Sequence, residues 1–441
     1  MKKLAVQKQV FEAKKQCRKI ENLYYGIFGA EKFISRLFGV FISHPIQYQA
    51  PLYQKLASKV NLKVFFYSNH GVKKSFDPQF EKSFKWDIPL LEGYNFEFLK
   101  KPKTCFSALK TINRFQHHSL FSGFHFFGLI NFGIFREIRN SQFDAVLINS
   151  WSYLSDWFVV LAGVLNKTPI FLRAENPLSH EYTKVRWKIG LKKIILGKIL
   201  FSRISKILYI GEENKKFYQF YGVPESKLIF TPYSVDNSRF VEAKRGLADK
   251  IYDFKNNLGI DRSSVVILFC GKLIKKKRPM DLLKAFQYIS HRTSNSSLLF
   301  IGDGELKLQL EKYTKDNNLQ NVYFVGFKNQ TELPEYYSIA DIFVLPSGVG
   351  ETWGLVVNEA MCFGLPIIIS DLVGCGTDLV KNGENGYIYP VGNIEKLSGY
   401  LNELVNNLEK RKKFGEQSFK IIQNYSYEKD IEGILKAMSN E

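Results

Sequence analysis

The sequence predicts an α/β protein built from two Rossmann-like domains that face each other across a cleft. Two observations predict it. Short apolar runs alternate with helical patterns, and the alternation stops and restarts once along the chain. At 441 residues the chain is also too long for one ordinary core, which makes two domains of roughly 200 residues each the natural expectation.

The elements follow in order. Residues 1–38 read as a basic, partly helical extension. The first strand is GVFIS (39–43), followed by a turn at His44-Pro45 and a helix carrying Leu52, Leu56 and Val60 on one face. Strands are expected at 61–68, 144–150, 168–174, 206–211 and 227–235. Residues 236–262 are polar and irregular and form the join. The second series has strands at 264–273, 297–305, 321–327, 341–347 and 366–371, with helices from Pro279 and from Gly354. The expected domains are 39–240 and 241–425, with 426–441 a helix placed to return to the N-terminal domain. Apolar strands alternating with helices mean parallel sheets, and parallel sheets bind ligands outside the carboxyl ends of their strands.

Composition narrows the function classes. Sixty-two Lys and Arg against 42 Asp and Glu leave a net charge of +20, a field that attracts nucleic acid, anionic headgroups or diphosphates. An AT-rich coding bias accounts for the same lysines equally well. Cys17, Cys105, Cys270, Cys362 and Cys375 are scattered without a CxxC pair, which argues against zinc sites and a disulfide framework and for a reducing cytosol. No run of 18 apolar residues suggests a membrane span, and the charged N-terminus lacks the apolar core of a signal peptide.

Three motifs carry chemistry. In GKLIKKKRP (271–279), Gly271 permits a tight turn after a strand, and Lys272, Lys275, Lys276, Lys277 and Arg278 precede a helix whose first turn holds Pro279. Cations beside a helix N-terminus oppose its dipole unless an anion is bound, so the run fits an anion site as well as a solvated basic loop. Glu351 and Glu359 form the second motif. One stands in the loop after a strand and the other one to two turns down the next helix, a spacing of about 12 Å if helical throughout. That suits a ligand with hydroxyls at both ends and a diphosphate between, which the amides of Gly354 and Leu355 would face. Alone, the pair fits an ordinary helix start just as well. The third motif is a set of glycine-rich turns, GDGE (302–305), GCGTD (374–378) and NGENGY (382–387), each weak evidence by itself.

Together, GKLIKKKRP, IGDGE, LPSGVGETWGLVVNEAMCFGLPIIISD and NGENGYIYP resemble glycosyltransferase family 4, retaining enzymes of the GT-B fold. The resemblance covers most of 264–392. SHPIQYQAPLYQKLA and YGVPESKLIFTPYSVDNSRF look like a bacterial branch working on surface polysaccharides such as lipopolysaccharide, O-antigen or capsule. It implies a nucleoside-diphosphate-sugar donor and a glycan or lipid-linked acceptor. Lys272 (at a usual Arg) and Lys277 would bind the diphosphate, with Gly271 and Arg278 beside them. Glu351 would contact the donor sugar and Glu359 the ribose. Lys272, Lys277 and Glu351 are the catalytic candidates. Trp353 replaces a usual Phe in the donor site, Thr352 and Asn358 are further departures, and Asp378 stands where Glu is usual. No Asp-x-Asp follows a strand, so neither metal nor cofactor is expected.

In the N-terminal half the candidate cleft residues are His44, Arg173 and Glu175. Glu175 stands where many relatives have a histidine. If TPIFLRAEN is strand throughout, Arg173 and Glu175 point the same way and form a charged pair. Residues 181–206 read as a basic amphipathic helix with an apolar stripe of Val185, Ile189, Ile195 and Ile199, suited to an anionic membrane or to packing on the sheet. The aromatic run 120–135 is too short to span a membrane and reads as core, or as the lining of an acceptor groove for a lipid-linked glycan. The expected location is cytoplasmic, at the inner membrane face, with no nucleic-acid partner. A non-catalytic GT-B subunit that scaffolds a partner transferase, and a basic polyanion-binding protein, stay open as other classes.

Overall fold

The computed structural model describes residues 35–77, 79–99, 129–182, 184–290 and 295–439. Most of the basic extension and of the aromatic run 120–135 therefore lies outside the described residues.

Two parallel sheets organise the chain. The first contains β1 (Leu37–Ile42), β2 (Asn61–Phe66), β5 (Asn95–Phe98), β6 (Ala145–Ile148), β7 (Ile170–Leu172), β8 (Lys206–Tyr209) and β9 (Leu228–Phe230) in the order β5-β2-β1-β6-β7-β8-β9. The second contains β10 (Val265–Cys270), β11 (Ser296–Ile301), β12 (Val322–Phe324), β13 (Ile342–Leu345), β14 (Ile367–Ser370) and β15 (Gly386–Tyr389) in the order β12-β11-β10-β13-β14-β15. Both orders run outward from the first strand and then reverse, which is the doubly wound pattern. A hairpin of β3 (Ser75–Asp77) and β4 (Lys82–Phe84) belongs to neither sheet.

The central strands form because helices cover both of their faces. All six residues of β10, VVILFC, are buried, and so are all six of β11. Strand positions expected from the sequence agree to within a few residues, although β1 starts at Leu37, inside the expected extension. The hairpin, β5 and β15 were not expected. Residues 236–262 are not irregular: they form the helices Asn237–Leu247 and Ile251–Asn257. Asp236 caps the first, its side chain accepting from the Arg239 amide.

The last helix, Tyr427–Ser439, packs Tyr427, Ile431, Ile434, Ala437 and Met438 against Phe38, Val40, Leu147 and Leu208 of the first sheet. Sequence-distant halves are thus bound through one apolar layer.

The basic segment 181–206 is not one regular helix. It runs as an α-helix over Arg186–Lys192 and continues as a π-helix over Lys193–Leu200. The wider turn rotates a stripe set at 3.6-residue spacing out of register. Leu196 and Leu200 face inward, while Val185, Trp187, Leu191, Ile194, Ile195 and Ile199 are exposed.

Candidate active site

In the second sheet, β10 and β13 flank the point where strand order reverses, so a ligand is expected outside their carboxyl ends. The loops that leave those two ends carry Lys277 and Glu351. Gly271 follows β10 with φ +154°, a backbone state that L side chains rarely adopt. A Cβ on Gly302, at the end of β11, would lie 1.9 Å from the Gly271 carbonyl oxygen, so the two turns need glycine to approach. Residues Lys275–Lys277 make a short 3₁₀ turn, and Arg278 takes a left-handed conformation before the helix Pro279–Ser290. This turn brings Lys277 to the cavity and sets the Arg278 side chain against Gly348 and Gly392, in the loops after β13 and β15.

Lys277 Nζ is ion-paired with Glu351 Oε2, and both side chains are largely buried. Burial works to raise the Glu351 carboxyl, but Lys277 and Lys276 outweigh it and hold it below the usual glutamate value. Glu351 is therefore a carboxylate at neutral pH, an acceptor for hydroxyl donors. Gly354 has φ +98° and starts the helix Leu355–Cys362. A Cβ there would also press 2.9 Å from Leu345, so this helix start needs glycine on two counts.

Glu359 lies on that helix, 6% exposed. Tyr337 donates its hydroxyl to Glu359 Oε2 at 2.7 Å. Burial raises the Glu359 carboxyl, opposed by Tyr337 and by the charge of Arg239. Arg239 is fixed by Gln330, donating to its carbonyl and its side-chain oxygen at 2.7 Å each. Gly271, Lys277, Leu355, Val356 and Glu359 line a cavity of about 260 Å³, closed from the other half by Tyr48, Phe80 and Trp86.

Sequence reasoning missed Arg239, Tyr337 and Gln330. Arg239 stands in the stretch read as an irregular join, so its only signal was the Asp236 cap ahead of it.

Other expected site residues are placed elsewhere. Lys272 does not line the cavity. Its ammonium bonds to Asp77 at 2.9 Å and to the Gln79 side chain at 2.9 Å, both on the hairpin. Arg278 pairs with Asp281 at 2.6 Å, in the first turn of its own helix. His44 is also off the cavity. It bonds to Ser43 at 2.9 Å and lies edge-on to His70, and burial with that neighbour lowers it to about 4. Trp353 is 2% exposed and belongs to the core, with Nε1 donating to Asn358 Oδ1 at 2.9 Å.

The charged pair expected between Arg173 and Glu175 does not form. Strand β7 ends at Leu172, so strand alternation does not govern these two residues. Arg173 is ion-paired instead with Asp430 at 2.7 Å. Glu175 accepts from the Tyr233 hydroxyl and, at 3.2 Å, from the Thr352 hydroxyl. Asn358 donates to the Tyr233 carbonyl at 2.9 Å. The unusual residues Thr352, Trp353, Asn358 and Glu175 thus belong to one connected network through Tyr233. Burial raises the Glu175 carboxyl against these donors and Arg173. Asp378 accepts from the Glu212 amide at 3.1 Å and from the Tyr425 hydroxyl at 3.1 Å. It joins the start of the helix Glu212–Phe220 to the second domain, and burial raises it to about 6.

Among the described residues, no three His, Cys, Asp or Glu side chains gather as a metal site requires. No described helix is long and apolar enough to cross a membrane.

Comparison with known proteins bears on this geometry. Residues 251–421 match the family model of glycosyl transferases group 1. The chain is similar to spore coat protein SA of Bacillus subtilis, 30% identical over 192 residues, covering 42% of this chain and 50% of that protein. It is also similar to the capsular polysaccharide biosynthesis glycosyltransferase CapM of Staphylococcus aureus, 25% identical over 252 residues, covering 57% and 60%. The matched segment spans about half the length of such curated relatives. Among solved structures, Anabaena Alr3699/HepE in complex with UDP superposes with TM-score 0.69 at 15% identity, covering 92% of this chain and all of that one. A glycosyltransferase from Rickettsia africae gives 0.66 at 14% identity, covering 92% and 98%. These likenesses establish the fold as GT-B.

Proposed function

From a chain whose residues 251–421 match the family model of glycosyl transferases group 1 and whose fold is GT-B, we propose a retaining glycosyltransferase. It transfers a sugar from a nucleoside diphosphate to a glycan or lipid-linked acceptor in cell-surface polysaccharide synthesis. The observation that carries this reading is the Lys277–Glu351 ion pair between the loops leaving β10 and β13, with Lys277 and Glu359 lining one cavity and Glu351 behind Lys277.

The chemistry follows from the charges. As the sugar–phosphate bond breaks, negative charge builds on the leaving diphosphate. Lys277 and the amides at the start of the helix Leu355–Cys362 oppose that charge at a fixed position, the kind of stabilisation that contributes most to many catalytic sites. Glu351, kept ionised, orients the sugar hydroxyls. Glu359, held by Tyr337, accepts the ribose hydroxyls. The acceptor hydroxyl oxygen bonds to the anomeric carbon on the face where the bond to the diphosphate breaks, and its proton passes to the departing diphosphate. Titration calorimetry with UDP, UMP, GDP and GMP tests the donor site. A diphosphate is expected to bind more tightly than its monophosphate, and Glu359→Gln to weaken binding about tenfold or more, as charge-assisted bonds do. Equal, weak binding of all four would sink the reading.

The exposed face of residues 185–199 supports work at an anionic bilayer. Trp187, Leu191, Ile194 and Ile199 stand out among the exposed Arg186, Lys188, Lys193 and Lys198. Buried Glu181 engages Lys184 and Lys192 at 2.5 and 3.0 Å, leaving the others to face solvent. The protein is expected to sediment with phosphatidylglycerol vesicles and not with phosphatidylcholine alone, and Trp187→Ala with Leu191→Ser to lose most of that binding. Equal sedimentation of variant and wild type would exclude this surface.

A further inference from the structure

The hairpin β3–β4 is the one described pair of strands outside both sheets, and its contacts are with the other domain. The ring of Phe84 lies 4.3 Å from that of Phe327 and the ring of Phe80 4.9 Å from it, centroid to centroid. Trp86, just beyond the hairpin, packs on Phe84 at 5.0 Å. The Lys85 carbonyl accepts from the Asn329 side chain at 2.7 Å and the Asp87 carboxylate from the Thr331 amide at 3.1 Å. A Cβ on Gly304 would lie 2.9 Å from the Gln79 carbonyl oxygen, so the hairpin tip is docked against the GDGE turn at glycine distance.

The cavity is lined by both polar and aromatic groups. Lys277, Gly271 and Glu359 line it from the second domain together with Phe327, and Phe80 and Trp86 line it from the hairpin side. A nucleoside diphosphate carries the matching parts, a charged diphosphate, ribose hydroxyls and a flat base. Stacking on aromatic rings tolerates any base, because every base has a π face. The lysine turn adds a second observation. Lys272 is held by Asp77 and Gln79 and lies 4.7 Å from the centre of the Phe80 ring. Asp77 Oδ1 also accepts from the Gln79 and Phe80 amides, which shapes the tip.

The geometry points to the hairpin as a wall of the donor site: Phe80 and Trp86 bind the nucleotide base, and Asp77 holds Lys272 in an ion pair that the donor's diphosphate replaces. This rests on the donor reading above and adds residues of the N-terminal half to it. Asp77 acts on donor affinity through Lys272. While the pair persists, Lys272 is unavailable to phosphate, and the apparent affinity falls by the fraction of molecules so held.

The two roles separate by ligand. Dissociation constants are measured for the better bound of UDP and GDP and for its nucleoside. Phe80→Leu and Trp86→Ala are expected to weaken nucleotide and nucleoside alike, by about tenfold or more, as loss of base stacking does. Phe80→Leu keeps apolar bulk, so its fold is preserved. Asp77→Asn keeps the acceptor for the tip amides and removes the charge. It is expected to raise the ratio of diphosphate to nucleoside affinity by about threefold or more, since a partly exposed competing ion pair is lost. Wild-type affinities in both aromatic variants would overturn the base wall, and an unchanged ratio in Asp77→Asn would overturn the exchange. A wild type that binds neither UDP nor GDP would overturn the donor reading and this inference with it.

Discussion

Lys277→Ala is expected to lower kcat/KM for the donor by about a hundred- to a thousandfold, the range seen when one fixed donor to a developing negative charge is removed. Two effects add. The leaving diphosphate loses a cation that lines the cavity. Glu351, 6% exposed, also loses the ion pair that keeps it charged in a buried place, and burial then raises its carboxyl. A sugar hydroxyl would meet a partly protonated, displaced group. Lys277→Arg restores the charge in a different shape and is expected to recover only part of the rate. Steady-state kinetics on any donor the wild type accepts would check this. Activity of Lys277→Ala within tenfold of wild type would remove Lys277 from the catalytic set.

Arg173→Ala is expected to destabilise the fold by about 3–5 kcal/mol, the cost of leaving one buried charge without its partner. Arg173 is 5% exposed and Asp430 1%, and the pair ties the end of β7 to the helix Tyr427–Ser439. Asp430→Ala should cost a similar amount. Replacing both, as Arg173→Met with Asp430→Leu, is expected to cost far less than the two single changes together, because two apolar side chains leave no charge unpaired. Arg173 Nε and Asp430 Oδ1 have no hydrogen-bond partner among the described residues, so the native pair is itself incompletely satisfied. Urea denaturation of the four proteins reads this directly. Additive costs would show that the pair contributes nothing as a pair.

Arg173 also shows why parts of the molecule were not legible from the sequence. Its partner is 257 residues away, and no local pattern links them. The strand carrying it stops at Leu172, which cancels the alternation that would have aimed it at Glu175. Strands β10, β11, β13 and β14 were legible because helices bury both their faces and the runs are continuously apolar. The hairpin was not, because SFDPQFEKSF mixes charges with a proline and pairs only with itself and the other domain. Lys277, Glu351 and Glu359 were legible as candidates because each stands at a fixed step from a strand end, and topology turns that step into a position. The same reasoning gives a residue's step from a strand end and not its partner, so it offered no sign that Arg278 pairs with Asp281 or that Trp353 bonds to Asn358 in the core.

The donor site is the centre of the account, and release of nucleoside diphosphate from a panel of UDP- and GDP-sugars tests it most directly. The wild type is expected to release diphosphate from at least one donor, and Glu351→Gln, folded by the same thermal criterion, to do so at least a hundredfold more slowly on that donor, in the range of losing one fixed polar contact to the reacting group. No release from any donor by the wild type, or equal release by both proteins, would contradict it.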